Sequence, residues 1–481
     1  MSISGALSNA MTGLRAAGRT SEVISANLAN AMTPGYGVRN LSLSSSQLGG
    51  VAIDGVMRNV DPSLLADLRL ADASFGNANN RTKFLNDFEN LLGTPEEANS
   101  LAGRMAEFER TLITAASRPD APERLNSVVD AARDIATLIS KASDGVQQAR
   151  SDADRAIQVQ IDRLNTSLQS VKELNSQITR TISTGSDASA LFDNRQAIVD
   201  EINAIVPVRL VPRDNGQIAL YSTGGAILID GGVAEIEFNA VNQVTPFMTL
   251  GGGTLSGLSV NGYPVRTDSA RGALGGGTLG AHFEIRDELG TSAQTQLDAF
   301  ARDLIERFQD PAVDASLAVG DPGIFTDAGL AFDPVNEIGL SARLSVNAAV
   351  DERQGGESWR IRDGVNALTP GDVGDARLIQ ALSDTLSAKR APASGDFGAG
   401  AFSAMNLIST FTSQVGADRS RAEQTLSFAS SQFDELTQQV LANGVDSDQE
   451  LQRLLIVEQA YAANARMIEA ADEMMQTILR I

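Results

Sequence analysis

The chain has 481 residues, 38 basic and 60 acidic, for a formal net charge of −22. With no Cys and one His, His282, it cannot build a disulfide scaffold, a Cys-ligated zinc site, a His-pair metal site or a thiol nucleophile. Hydrophobic residues at 42% suffice for a buried core, aromatics at only 5% point to aliphatic packing, and the acidity disfavours nucleic acid as a partner.

Residues 1–31 read as one helix. Ile3, Leu7, Ala10, Leu14, Ala17, Ser21, Ile24 and Leu28 are spaced alternately by four and three, and seven of the eight are apolar. That is a heptad seam. Thr33-Pro34-Gly35 stops it, because Pro biases its predecessor out of the helix and Gly permits positive φ. Its charge pattern, with Arg15 as the first charged side chain, lacks the basic start of a secretory signal. No stretch reaches the roughly eighteen apolar residues of a membrane span.

Helical signals continue inward. Thr94-Pro95-Glu96-Glu97 has the form of a helix cap with Pro in the first turn. Ile157, Ile161, Leu164, Leu168, Val171, Asn175, Ile178 and Ile182 form another such register with one polar member. The pattern changes after Pro207, and residues 209–280 hold 15 of the 43 Gly. Short β-prone runs lie among them at Gln217–Tyr221, Ala226–Ile229, Ala234–Phe238, Val244–Leu250 and Leu258–Val260. This segment reads as a small inserted β domain, removable without loss of the host. Helical pattern returns near Gly290 and passes Phe300 and Phe308, while 310–375 reads as loops with short elements.

Val415, Arg419, Ala422, Leu426, Ala429, Phe433, Leu436 and Val440 make a further register, ended by Asn443-Gly444. Ser447 with Glu450 resembles a capping box. The last helix carries Leu454, Val457, Tyr461, Asn464, Ile468, Ala471, Met475 and Ile478, again spaced by three and four. The fold expected is mainly α with an inserted small β domain. Its terminal helices pair as a coiled coil (1–35 and 443–481) around a helical-bundle body (36–208 and 281–442), with 209–280 inserted. These are discontinuous domains.

No catalytic constellation emerges. Gly251-Gly252-Gly253 and Gly275-Gly276-Gly277 lack the Gly-Lys-Ser/Thr of a phosphate loop, since none of the four Lys follows Gly. Asp446-x-Asp448-x-Glu450 lacks the Gly and distal Glu of a calcium loop. Asp152 with Asp154, and Asp193 with Asp200, read as solvated acids in a chain rich in them. The seams invite assembly: on one helix Ile3, Leu7, Leu14, Ile24 and Leu28, on the other Leu454, Val457, Tyr461, Ile468, Met475 and Ile478.

Ala26-Asn27-Leu28-Ala29-Asn30-Ala31-Met32-Thr33-Pro34-Gly35-Tyr36 closely resembles the N-terminal signature of the flagellar axial-protein family, which includes rod, hook and hook-associated proteins. Gly444-Val445-Asp446, Gln459, Tyr461, Asn464 and Asp472 resemble its C-terminal signature. Leu174-Asn175, Asp193-x-Arg195, Ile198-Val199-Asp200-Glu201-Ile202 and Val206-Pro207-Val208 are similar to the hook-associated branch, as is Gly371-Asp372-Val373-Gly374-Asp375-Ala376. The signature departs at Gly37-Val38, where that family has a small residue and then Arg.

The resemblance implies a structural protein, not an enzyme, without cofactor or metal. It implies export through the flagellar type III channel to the extracellular flagellum, and a self-assembled ring joining hook to filament. Implied partners are copies of the chain, hook protein below, a second junction protein and flagellin above, and an export chaperone, with no nucleic acid and no membrane insertion. A hook or distal-rod protein is the alternative; those relatives place mostly β domains between the terminal helices.

Overall fold

The computed structural model describes residues 3–33, 35–47, 49–267 and 272–480. It is mainly helical, with small antiparallel sheets. Helix α1 (Ile3–Ala29) leads into a hairpin of β1 (Val38–Ser45) and β2 (Val51–Asn59). Residues 38–45 and 51–59 are therefore strand, within a stretch expected to be helical. Leu41-Ser42-Leu43-Ser44 alternates with the strand period of two, which the reading for helices passed over. Asp61 then caps α2 (Pro62–Leu92), accepting from the Ser63 and Leu64 amides.

Next come α3 (Leu101–Ser117), α4 (Pro122–Ser183) and α5 (Ser189–Ile205). The cap expected at Thr94 is not there: residues 95–100 turn, and Ser100 caps α3 through its hydroxyl to the Gly103 amide. Helix α4, at 62 residues, is about 93 Å long at ~1.5 Å per residue, and it runs through two cores. Its first half, from Leu125 to Ala153, packs with Phe84, Phe88, Phe108 and Leu112 from α2 and α3. Its second half, Ile157 to Val171, belongs to another cluster.

That second cluster contains the β segment. Strands β3 (Val208–Pro212), β4 (Ile218–Ser222), β5 (Ile227–Asp230) and β6 (Gly232–Val233) form one antiparallel meander; β7 (Ile236–Glu237), β8 (Leu258–Val260) and β9 (Tyr263–Val265) form another. Ile218, Leu220, Leu228, Ile236 and Leu258 pack on Ile161, Leu164, Leu168 and Val171 of α4 and on Val199 and Ile202 of α5. The sheets thus share their core with helices outside the Gly-rich segment.

Two amides pin them. Asn175 donates to the Ile218 carbonyl (2.9 Å) and accepts from its amide (3.3 Å), and Asn165 does the same for Ile236 (2.8 and 3.2 Å). Each acts as a one-residue strand partner. The run Val244–Leu250, expected as a strand, is loop. Its carbonyls at Thr245 and Met248 are taken by the Arg150 guanidinium, so they cannot enter a ladder.

Helix α6 (Gly277–Glu284) already starts before Gly290 and passes through a π turn at Ile285–Leu289 into α7 (Gly290–Phe308). Arg150 donates to the Arg286 carbonyl inside that turn (2.8 Å). Arg286, fully buried, pairs with Asp154 (2.7 Å) and Asp287 (2.8 Å). Asp154 is therefore a buried ion-pair partner, a correction to the solvated reading, whereas Asp152 is exposed.

Residues 310–375 do hold short elements: β10 (Phe325–Asp327), α8 (Leu340–Arg343), β11 (Leu344–Val346) and α9 (Arg360–Asp363). They are followed by α10 (Arg377–Ser387), α11 (Ala404–Ala442) and α12 (Ser447–Leu479). Helix α11 lies along α2, where Phe433 stacks on Phe75 (5.7 Å). The cap of α12 is Asp446, accepting from the Asp448 and Gln449 amides; Ser447 is the first helical residue instead.

Candidate assembly interface

Helices α1 and α12 pack against each other, antiparallel: Asn464 lies at Gly13, while Arg453, near the start of α12, donates to Asn40 beyond the end of α1 (3.2 Å). The covered positions of α12 are Leu454, Val457, Asn464 and Ile468, half-buried, and Ala471, buried. On α1, Ala10, Ala17 and Ile24 are buried and Ile3, Leu7, Leu14 and Leu28 half-buried. Asn464, the polar member of the seam, lies over Gly13: a Cβ there would sit 2.8 Å from its Oδ1. The small residue lets the helices approach.

The rest of the expected C-terminal interface is open. Tyr461 is 47%, Met475 37% and Ile478 61% exposed. Sequence reasoning missed a second stripe: Ile456, Ala460, Ala463, Met467, Ala470 and Met474, spaced by four and three, with Ile456 65% and Met467 53% exposed. Leu451, Leu455 and Leu479 are exposed as well. Helix α12 thus carries two four–three patterns, on different faces.

The signature residues build the joint between the helix pair and the body. Asn27 is fully buried. Its Oδ1 accepts from the Tyr36 hydroxyl (2.9 Å) and the Arg39 amide (3.0 Å), and its Nδ2 donates to the Arg39 carbonyl (2.8 Å). Only a side-chain amide both donates and accepts in this way, so Asp would fail here. Asn30 donates to the Ala26 carbonyl (2.9 Å) and accepts from Thr33, which is exposed. Gly35 has φ +78°, in the left-handed region. Pro34 lies outside the described residues.

Tyr36 lies under the Arg39 guanidinium, 4.8 Å from its carbon. Burial pushes the Tyr36 hydroxyl above its ordinary pKa, against the pull of Arg39. Asp193 on α5 accepts from Arg39 (2.8 Å), Arg58 (2.6 Å) and the Gly37 amide (3.2 Å). A Cβ at position 37 would collide with Arg58, 2.4 Å from its Nε. The small residue at position 37 thus makes room for this cluster. Asp193 and Asp200, the latter paired with Arg69 (2.6 Å), are anchors for arginines, not free acids.

The two signatures meet. Asn30, Thr33, Gly35 and Tyr36 line one cleft of about 430 Å3 together with Asn443, Gly444 and Val445. Glu450 is 2% exposed and pairs with Arg453 (3.2 Å). Gln459 is exposed, and nothing in the structure explains it. Among the described residues no cluster of His, Cys, Asp and Glu is placed to hold a metal, and no helix is long and apolar enough to cross a membrane.

Residues 85–315 match the model of the flagellar hook-associated protein FlgK helical domain. Residues 7–36 match the flagella basal body rod protein model, and 437–481 the C-terminal model of the flagellar basal body rod FlgEFG proteins. Flagellar hook-associated protein 1 of Escherichia coli (strain K12) is 23% identical over the whole of both chains. The chain is similar to flagellar hook-associated protein 1 from end to end.

The Bacillus subtilis (strain 168) protein of that name is 20% identical over 94% of this chain and 93% of its own. The Salmonella typhimurium one is 27% identical over 48% of this chain and 44% of its own. The solved flagellar hook junction protein FlgK from Burkholderia pseudomallei superposes on 55% of this chain and 47% of its own, with TM-score 0.44 and 18% identity. The family is one of structural flagellar proteins, and this chain is a self-associating structural component of the flagellum. Between its terminal helices this chain carries the segment matched by the helical-domain model, 85–315, and not the mostly β domains expected of the hook or distal-rod alternative.

Proposed function

We propose that this chain forms the ring that joins hook to filament, assembling there after export through the flagellar type III channel, and that it performs no catalysis. The observation that carries this is α12. A helix that leaves Leu451, Leu455, Ile456, Met467, Met474 and Leu479 in water is suited to a place where other chains cover it. The terminal units 1–35 and 443–481 would form the inner tube, the body 36–208 and 281–442 would surround it, and 209–280 would face outward. Hook protein below, a second junction protein and flagellin above, and an export chaperone are the partners this reading names.

The test is direct. Purified chain is added to isolated hooks and imaged by electron microscopy, and a deletion strain is imaged beside it. Addition at hook ends, and a deletion that leaves hooks without filaments, are the expected results. A deletion that removes the hook itself would point to a hook or rod protein and overturn the reading.

A further inference from the structure

Beside the joint, α2, α5 and the start of the first meander enclose a cleft of about 410 Å3, lined with apolar groups such as Val60, Leu65, Val199 and Ile218. Arg195 lines it at 7% exposure. One guanidinium nitrogen donates to Asn175 Oδ1 and to the Gly216 carbonyl, both at 2.7 Å, and the group lies 5.1 Å over the Phe192 ring. No carboxylate among the described residues pairs with it, and its other nitrogens bond to none of them.

Other buried arginines are treated differently. Arg286, Arg307 and Arg362 each meet a carboxylate. Arg150 meets none, yet all three of its nitrogens donate to oxygens. Only Arg195 among these leaves donors toward a cleft. Arg58, Arg69 and Arg213 stand around the same space, but each meets a carboxylate of this chain, Asp193, Asp200 and Asp230 respectively, so Arg195 is the cation of the lining left without one. Burial first, and then Arg58, bring the Arg195 pKa down to about 10. A cationic, apolar-walled cleft in a chain of net charge −22 is half of an ion pair.

We propose that this cleft receives a carboxylate carried on an apolar side-chain stem of a neighbouring copy of the chain, and that Arg195 is its partner. Two observations favour a second copy. Val60, Leu65 and Gln196 line both this cleft and the one where the terminal helices enter, so it is continuous with the assembly surface. A copy, with 60 acidic residues against 38 basic ones, also offers a carboxylate for this one unpaired guanidinium. A cleft on one subunit filled by a different surface of the next is a heterologous contact, the kind that closes rings. The inference rests on the junction reading above.

The experiment uses full-length chain in two arms. In the first, hexanoate is the probe, with hexanol and hexylammonium as controls, read by ligand-observed NMR. Hexanoate alone should bind, and Ala66→Trp, which fills the cleft from an exposed position on α2, should abolish binding with the melting transition unchanged. Arg195→Gln should also abolish binding, with a lowered melting transition because it gives up the buried bonds to Asn175 and Gly216. In the second arm, Ala66→Trp should slow addition to hook ends at least tenfold. No hexanoate binding, or equal binding by both variants, overturns the cleft as a carboxylate site. Specific binding with unimpaired addition of Ala66→Trp overturns the neighbouring copy as its source and leaves the junction reading intact. If even the unaltered chain does not add to hooks, the junction reading falls, and the first arm still decides the cleft.

Discussion

The body and the terminal helix pair use similar sequence patterns to different ends. In α4, the register Ile157, Ile161, Leu164, Leu168, Val171 is at most 1% exposed. In α12, of 33 residues, only Glu450 and Ala471 are buried. Both helices carry apolar residues at four–three spacing. The difference lies in what surrounds them: α4 has α3, α5, α7 and the sheets, whereas α12 packs chiefly on α1. A seam in the sequence thus specifies that a face will be covered, and the neighbourhood decides whether the same chain covers it. Hydrogen exchange on the monomer should show this as slow exchange over 157–178 and fast exchange over 3–29 and 447–479, since most helical stability comes from tertiary packing. Equal protection of both would erase the contrast.

The largest effect expected is from removal of Gly216–Gly275 with the ends bridged. It would uncover Ile161, Leu164, Leu168 and Val171 together and take away the partners of Asn165 and Asn175. Circular dichroism should show loss of cooperative folding in the second half of the body. An unchanged melt would mean that the sheets are a removable unit after all. In the first core, Phe108 touches Phe308 (5.9 Å) and Phe325 (5.8 Å) edge-on. Phe108→Ala should cost about 3–5 kcal/mol in a denaturant titration. Truncation before Ser447 should leave that transition where it was.

The joint should respond more locally. Asp193→Asn leaves Arg39 and Arg58 side by side without their shared carboxylate. Leaving partly buried charged donors unsatisfied costs roughly 1–3 kcal/mol. The change should appear as faster exchange at 38–59, with the melt of the α4 cores unmoved. If the whole body is destabilised instead, hairpin and body are one cooperative unit.

The helical registers were legible because they depend only on spacing, and Asp446, Asn443 and Gly444 sit at the expected break. What was not legible depends on partners distant in the chain. Val244–Leu250 has strand composition, but Arg150 takes two of its carbonyls. Asp154 looks like any acid on a helix until Arg286, 132 residues on, reaches it. Asn175 looked like a flaw in an apolar register, and it is the residue that holds β4. In the assembly surface, Leu454, Val457 and Ile468 were found by their period. Ile456, Met467 and Met474 also have a period, but a second stripe on one helix is only noticed once the first is seen to be occupied by α1.

The smallest effect on folding should come with the largest on assembly. In Ile456→Asp combined with Met467→Asp, both positions are more than half exposed in the chain, so each carboxylate stays in water and the monomer should shift by no more than ~0.5 kcal/mol. If neighbouring copies cover that stripe, burying unpaired carboxylates costs several kcal/mol at every contact, and addition to hook ends should be lost. Tyr461→Asp with Ile468→Asp separates the two faces. Ile468 is half-buried on the side of α1, so this pair should also loosen α1 from α12, seen as faster exchange in α1. Glu469→Lys, at an exposed position outside both stripes, should change little. Normal assembly by the Ile456/Met467 variant would show that the open stripe faces solvent in the finished ring, and would leave the α1–α12 seam as the only surface on this helix that matters.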